Sequence, residues 1–124
     1  MALISILIPL YNAEKYIRDT ILSVQSQTFT DWEAIILEDC STDQSYVVAC
    51  QAVKEDTRFR VVRNEYNLGM MQNWNKGITL CNSTYFAKLD ADDLWHPKML
   101  EESLAVLDQY PEVAMVCTNY MNID

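Results

Sequence analysis

The sequence predicts an α/β fold: a mostly parallel sheet with helices on both faces, in one domain spanning residues 1–124. Three observations predict it. Short, continuous apolar runs recur along the chain, as strands buried on both faces require. Between them lie segments whose apolar residues repeat at helical spacing. With only two Gly and three Pro, and no internal repeat, nothing marks a linker. Strands that alternate with helices in this way pair in parallel, each crossover covering a face of the sheet.

Leu3–Ile8 is the first apolar run, ended by Pro9, and reads as a buried strand. From Glu14 to Gln27, Ile17, Ile21 and Val24 recur at helical spacing among charges. Trp32–Leu37 is a second strand. Ser41-Thr42-Asp43 then offers capping oxygens to a helix carrying Val47, Val48 and Val53. Phe59–Arg63 follows as a third strand, Met70–Leu80 as a third helix and Tyr85–Leu89 as a fourth strand. Pro97 suits the first turn of a helix carrying Leu100, Leu104 and Leu107. Val113–Cys117 reads as a fifth strand.

Composition excludes several functions. A net charge of −9 argues against a nucleic-acid partner. No apolar run approaches the roughly 20 residues that span a bilayer. Met1–Leu10 lacks a basic start and a cleavage site, so it is a strand and not a signal peptide. The four cysteines, Cys40, Cys50, Cys81 and Cys117, have no CxxC spacing, and His96 is the single histidine. Zinc sites and disulfide frameworks are therefore disfavoured. The cysteines read as small buried hydrophobes in a reducing, cytoplasmic setting.

Ligands of such sheets bind at the carboxyl ends of the strands, near a switch in strand order. Pro9 to Glu14 follow the first strand, Glu38 to Asp43 the second, Asn64 to Gly69 the third and Asp90 to Asp93 the fourth. Two acidic turns and an aromatic–amide turn thus share one edge. No GxGxxG or GxxxxGK[ST] cradle is present, which disfavours a dinucleotide site or a P-loop. Carboxylates alone repel phosphate, by roughly 4 kcal/mol for unit charges about 4 Å apart at an effective dielectric near 20. A divalent cation reverses the sign, since magnesium and manganese take one or two carboxylates and leave positions for phosphate oxygens. Asp90 and Asp92, flanking Ala91, can present two carboxylates to one such ion.

Five segments in order resemble family 2 of the glycosyltransferases, of the GT-A fold, and cover nearly the whole chain. They are Ser5 to Ile17, Ser23 to Phe29, Glu38 to Asp43, Asn67-Leu68-Gly69 with Asn75-Lys76-Gly77, and Leu89 to Pro97. The resemblance implies the N-terminal, nucleotide-sugar-binding part of such a domain, acting on a nucleoside diphosphate sugar, with a UDP-sugar expected. Pro9 and Tyr11 would border the base, with Glu14 near the nucleotide. Asp39 would accept a hydrogen bond from the base, Asp90 would face the ribose, and Asp92 would hold Mn2+ or Mg2+ on the diphosphate, with Ala91 between them. Asn67, Gly69, Asn75 and Gly77 would shape the turn and helix packing nearby.

The implied reaction is inverting transfer to an acceptor hydroxyl of a glycan or glycolipid, in bacterial polysaccharide synthesis. The metal would stabilise the leaving diphosphate, and a carboxylate beyond Asp124 would be the general base. The resemblance therefore implies a truncated domain that could associate through an exposed sheet edge. The full-length protein would be cytoplasmic, either free or peripheral at the inner face of the membrane.

Competing explanations remain for single residues. Tyr11 also suits packing on the sheet edge, Asp43 a helix cap, Trp74 and Trp95 core or rim positions, and His96 an ordinary loop. Glu38 and Cys40 depart from the family's usual Asp and Gly, and Trp74 stands where many members carry Arg, which removes a basic partner for the donor. A non-catalytic nucleotide-binding module is the alternative function. A receiver domain fits poorly, because Pro9-Leu10-Tyr11, Arg63-Asn64 and Thr118-Asn119 stand where it needs acids and a Lys. A nucleotidyltransferase would need a Gly-rich loop and a Lys after the first strand.

Overall fold

A computed structural model describes residues 2–122. Among them the chain runs β1 (Ile4–Leu10), α1 (Ile17–Gln25), β2 (Trp32–Glu38), α2 (Ser45–Val53), β3 (Phe59–Arg63), α3 (Met70–Leu80), β4 (Tyr85–Lys88) and α4 (Met99–Gln109). The strands form a parallel sheet in the order β3-β2-β1-β4. From β1 the chain steps outward to β2 and β3, then returns to the other side of β1 as β4. The switch in strand order therefore lies at β1, and the loops after β1 and β4 open beside it.

The pleat divides β1 between two cores. Ile4, Ile6, Ile8 and Leu10 join Ile17, Ile21 and Val24 of α1, Ala49 and Val53 of α2, and Leu100 and Leu104 of α4. Leu7 faces α3, where a Cβ on Gly77 would come within 2.5 Å of both Leu7 methyl groups. Gly77 thus sets how closely α3 lies on the sheet. Pro9 interrupts no ladder. Leu7 O accepts Leu89 N–H on the β4 side (2.9 Å), so by alternation Pro9 faces that side too, beyond the last β1–β4 pair, Leu7 with Lys88.

The expected fifth strand is corrected. Val113–Cys117 is irregular, and none of it pairs with the sheet. A short apolar run becomes a strand only where an edge takes up its backbone groups, and β4 pairs with β1 alone. Pro97 also lies before α4, in a turn preceding the N-cap Lys98, and not in the first helical turn. The cysteines are unpaired; Cys40, Cys50 and Cys81 are half-buried and Cys117 exposed, so the expectation of full burial fails.

Candidate functional site

A cavity of about 570 Å³ opens at the carboxyl edge of β1, β2 and β4. Pro9, Leu10, Tyr11, Asn12, Ala13 and Tyr16 form one wall; Asn67, Gly69, Met70, Asn73 and Trp74 form another. Asp39 lies between them, and Asp90, Ala91 and Asp92 complete the rim. The lining holds three acids and no Lys, Arg or His. Of the residues expected in a site, Pro9, Tyr11, Asp39, Asp90, Ala91 and Asp92 come together here.

Glu14 does not line the cavity. Its Oε2 accepts Gln44 N–H (3.0 Å), while its own N–H donates to Asp43 Oδ2 (3.2 Å). This carboxylate sits at the start of α2, where orphan N–H groups and the helix dipole favour a negative charge. Asp43 ties the same joint, with Oδ1 accepting Ser45 N–H (2.9 Å). Burial works against the charged Asp43 carboxylate, but hydrogen bonds from Ser45 and the Glu14 N–H prevail and hold its pKa below the ordinary value. Asn12 N–H donates to Ser41 Oγ, Ala13 N–H to Ser45 Oγ, and Thr42 N–H to Asn12 Oδ1. The β1 loop is therefore laced to the β2 loop along its length.

Asp39 is 3% exposed. Its Oδ1 accepts Leu68 N–H (2.7 Å) and Asn64 Nδ2–H (2.9 Å), and Oδ2 accepts Gly69 N–H (3.0 Å). A carboxylate offers about four acceptor positions. Three are filled from within, which leaves one on Oδ2. The same three bonds make burial of the charge tolerable. Asn64 continues the network, donating to Asn73 Oδ1 (2.8 Å) and accepting from Lys76 Nζ (2.6 Å). Asn73 then donates to Leu37 O (3.2 Å). The sequence places Asn64 in a strand-end turn and Lys76 in the Asn75-Lys76-Gly77 segment without assigning either a role, and it does not mark Asn73; two polar residues at helical spacing on α3, Asn73 and Lys76, are the available signal.

Two departures from the family pattern acquire shapes. Cys40 adopts φ +56°, the left-handed region that a Gly would enter freely. Glu38 is fully buried, accepts Ser41 N–H at Oε1 (2.7 Å), and places Oε2 3.2 Å from Arg63 Nε. That ion pair lacks hydrogen-bond geometry, so Oε2 keeps charge compensation without a directed donor.

The acidic turn is held from α1. Thr20 Oγ1 donates to Ala91 O (2.9 Å) and Asp93 O (2.8 Å), and Trp95 N–H donates to Ser23 Oγ (3.2 Å). Gln27 Nε2 donates to His96 O (2.8 Å), and its Oε1 accepts Leu100 N–H (3.1 Å) at the start of α4. Ala91 is buried while Asp90 and Asp92 are exposed, so the turn plugs its small residue into the core and leaves both acids in solvent. Burial pushes the Asp93 pKa up, and the neighbouring charges of Asp92 and Asp90 push it further. His96 is an exposed loop residue, and Trp95 packs half-buried against the core.

No group of three or more His, Cys, Asp or Glu side chains converges as a metal site among the described residues. Asp90 and Asp92 are a two-carboxylate set beside an open cavity, which fits an ion whose remaining positions are filled by phosphate oxygens and water.

The glycosyl transferase family 2 profile matches residues 5–124. An uncharacterized glycosyltransferase of Haemophilus influenzae is 36% identical over 107 residues, covering 86% of this chain and 33% of that protein. S. aureus TarS 1–349, solved in complex with UDP-GlcNAc, superposes with a TM-score of 0.78 at 27% identity, over 86% of this chain and 31% of that one. The mannosyltransferase PcManGT of Pyrobaculum calidifontis, solved with GDP-Man and Mn2+, gives 0.79 at 17% identity, over 86% and 32%. The last match speaks to the fold alone. This chain thus spans about a third of the length of each of these proteins. With the profile matching nearly every residue and the same sheet recurring in solved relatives, the chain belongs to glycosyl transferase family 2.

Proposed function

We propose that this chain, residues 1–124, is the donor-binding part of a metal-dependent glycosyltransferase domain. It would take a sugar from a nucleoside diphosphate sugar, a UDP-sugar in the first instance, and pass it with inversion to a hydroxyl of a glycan or glycolipid. One observation carries this: a buried carboxylate with a single acceptor position left, and an exposed carboxylate pair, line one cavity that contains no cationic side chain.

The free position on Asp39 Oδ2 suits an N–H of a base, such as the ring imide of uracil, and Tyr11 beside it offers a face for stacking. TarS, a relative at 27% identity, was solved with UDP-GlcNAc, which supports uracil as that base. Asp90 would meet the ribose, and Asp92, with Asp90, would hold Mn2+ or Mg2+. When bound, that ion would offset charge on the departing diphosphate as a Lewis acid. Glu14 enters only as the tie between the loops. None of the cavity's acids suits the acceptor's proton: Asp39 is saturated but for one position, and Asp90 and Asp92 are assigned to the donor. We therefore place the general base outside the described residues, beyond Asp124, itself outside them.

Calorimetric binding of UDP, with and without Mn2+, to wild type and Asp92→Ala tests the proposal. The wild type should need Mn2+ for its tightest binding, and the variant should lose that dependence. Equal binding in all four conditions would refute it. Two wider expectations belong to the same proposal. No helix among the described residues is long and apolar enough to cross a membrane. Unpaired cysteines suit a reducing cytoplasm, with the full-length protein peripheral at the membrane's inner face; fractionation of that protein checks it. The outer edge of β4 has no partner strand among the described residues, and Phe86 is exposed on it, which supports self-association. A monomer at all concentrations in sedimentation would rule that out.

A further inference from the structure

Lys88 is absent from the cavity lining, yet it touches two residues that line it. Its Nζ lies 2.7 Å from Asp90 Oδ1 and 4.0 Å from the centroid of the Trp74 ring. Lys88 ends β4, and Trp74 projects from α3, so the ammonium bridges two elements at the mouth of the cavity. The other cations nearby are engaged elsewhere: Lys76 on Asn64 and Arg63 against Glu38 and the Tyr46 ring. Asp92 has no such partner among the described residues. Lys88 therefore offsets one of the two charges of the pair before any ligand arrives, while the neighbouring Asp93 carboxylate adds to the negative field of the turn.

We propose that Lys88 is the internal counter-ion of the Asp90–Asp92 pair, and that it makes capture of a divalent cation depend on the donor's diphosphate. A cation approaching the empty cavity must compete with an ammonium already hydrogen-bonded to Asp90. The face of Trp74 gives the ammonium a second resting place, so it need not leave the site when displaced. A diphosphate changes the balance, because its negative charge attracts the metal and the ammonium together. Capture of metal and nucleotide then becomes mutually reinforcing, and the linkage is reciprocal. Lys88 is a positioning residue here, acting through Asp90. This inference rests on the metal site proposed above.

The test is Mn2+ binding to this chain without nucleotide, followed by the electron paramagnetic resonance of free Mn2+ at low ionic strength. Wild type, Lys88→Met, Lys88→Gln, Lys88→Arg and Asp92→Ala are compared, then titrated again with saturating UDP. Lys88 and Asp90 side chains are 31% and 50% exposed, so solvent screens the pair. The neutral variants should therefore bind Mn2+ alone only about three- to fivefold tighter than wild type, the upper part of the range for an exposed pair. Lys88→Arg should stay within about twofold of wild type, since it keeps the charge. The factor by which UDP tightens Mn2+ should shrink in both neutral variants. Unchanged or weaker Mn2+ binding in Met and Gln variants, with Asp92→Ala impaired, overturns the role of Lys88 and leaves the metal site standing. Asp92→Ala indistinguishable from wild type overturns both.

Discussion

Thr20→Val should weaken the fold and the acidic turn together. Thr20 is fully buried, and its one hydroxyl proton is shared between Ala91 O and Asp93 O, at 2.9 and 2.8 Å. Valine keeps the volume, so no cavity term enters. What is lost is one hydrogen bond, worth about 0.5–1.5 kcal/mol net, plus the desolvation of a carbonyl left without a donor, about 1–3 kcal/mol when fully unsatisfied. Because the two acceptors share one donor, and Asp93 lies near solvent, about 1–2 kcal/mol is the expected total. Urea unfolding should show a lower midpoint at unchanged slope. Thr20→Ser is the control: it keeps the hydroxyl and loses one methyl group, about 0.8 kcal/mol by transfer. The two variants should therefore differ little in stability but differ in Mn2+-dependent UDP binding, which only Thr20→Val should weaken. If both bind Mn2+ and UDP alike, or Thr20→Val costs under about 0.3 kcal/mol, the hydroxyl is not what holds the turn.

Two further outcomes concern Cys40 in the β2 loop and the carboxylates with shifted pKa values. Cys40→Gly should stabilise the chain by about 0.5–1 kcal/mol, since relief of a left-handed residue (about 1–2 kcal/mol) exceeds the added freedom of glycine in the unfolded chain (about 0.4–1 kcal/mol). A lower thermal midpoint for that variant would show that the Cys40 thiol, 3.9 Å from Glu65 O, matters more than φ +56°. Stability should fall on acidification, because Asp43 and Asp56 both have folded-state pKa values below their unfolded ones. Hydrogen bonding from the Arg58 guanidinium is the main cause at Asp56. Their stabilisation is present above the unfolded carboxylate pKa, about 3.9, and is lost as pH falls through the folded values. Asp93 acts with the opposite sign. Its folded-state pKa is raised, so its contribution is present below the unfolded pKa and is lost as pH rises through the folded one. Denaturant midpoints between about pH 6 and pH 3 should drop less steeply in Asp43→Asn than in wild type; equal slopes would dismiss the Asp43 term.

How far the sequence discloses this site follows from the range of each interaction. β1 and β2 are legible because a buried strand is a local pattern; β3 and β4 read as short apolar runs although none of their residues is fully buried, and a parallel sheet sends every strand end to one edge. Asp39, Asp90 and Asp92 are legible on the same ground: their place at strand ends is enough to bring them together. Val113–Cys117 has the composition of a strand, but pairing belongs to an edge, which composition does not contain. Glu14 shows the same gap at a smaller scale. An acid in the right turn was visible; the Gln44 N–H that claims it lies 30 residues on.

Lys88 reads as one polar position in a strand, and Thr20, Ser23 and Gln27 read as the polar positions of an amphipathic helix. Their partners Ala91, Trp95 and His96 lie 71, 72 and 69 residues away, so no local spacing announces them. Yet these ties decide what the acids can do. Asp90 and Asp92 become a pair only because Ala91 is drawn into the core and its carbonyl is held by Thr20. The pair's charge is then set by Lys88 and not by the acids alone. Local pattern thus locates the carboxylates, and Lys88 stands only two residues before Asp90, while the long-range hydrogen bonds from Thr20, Ser23 and Gln27 set the geometry of the turn.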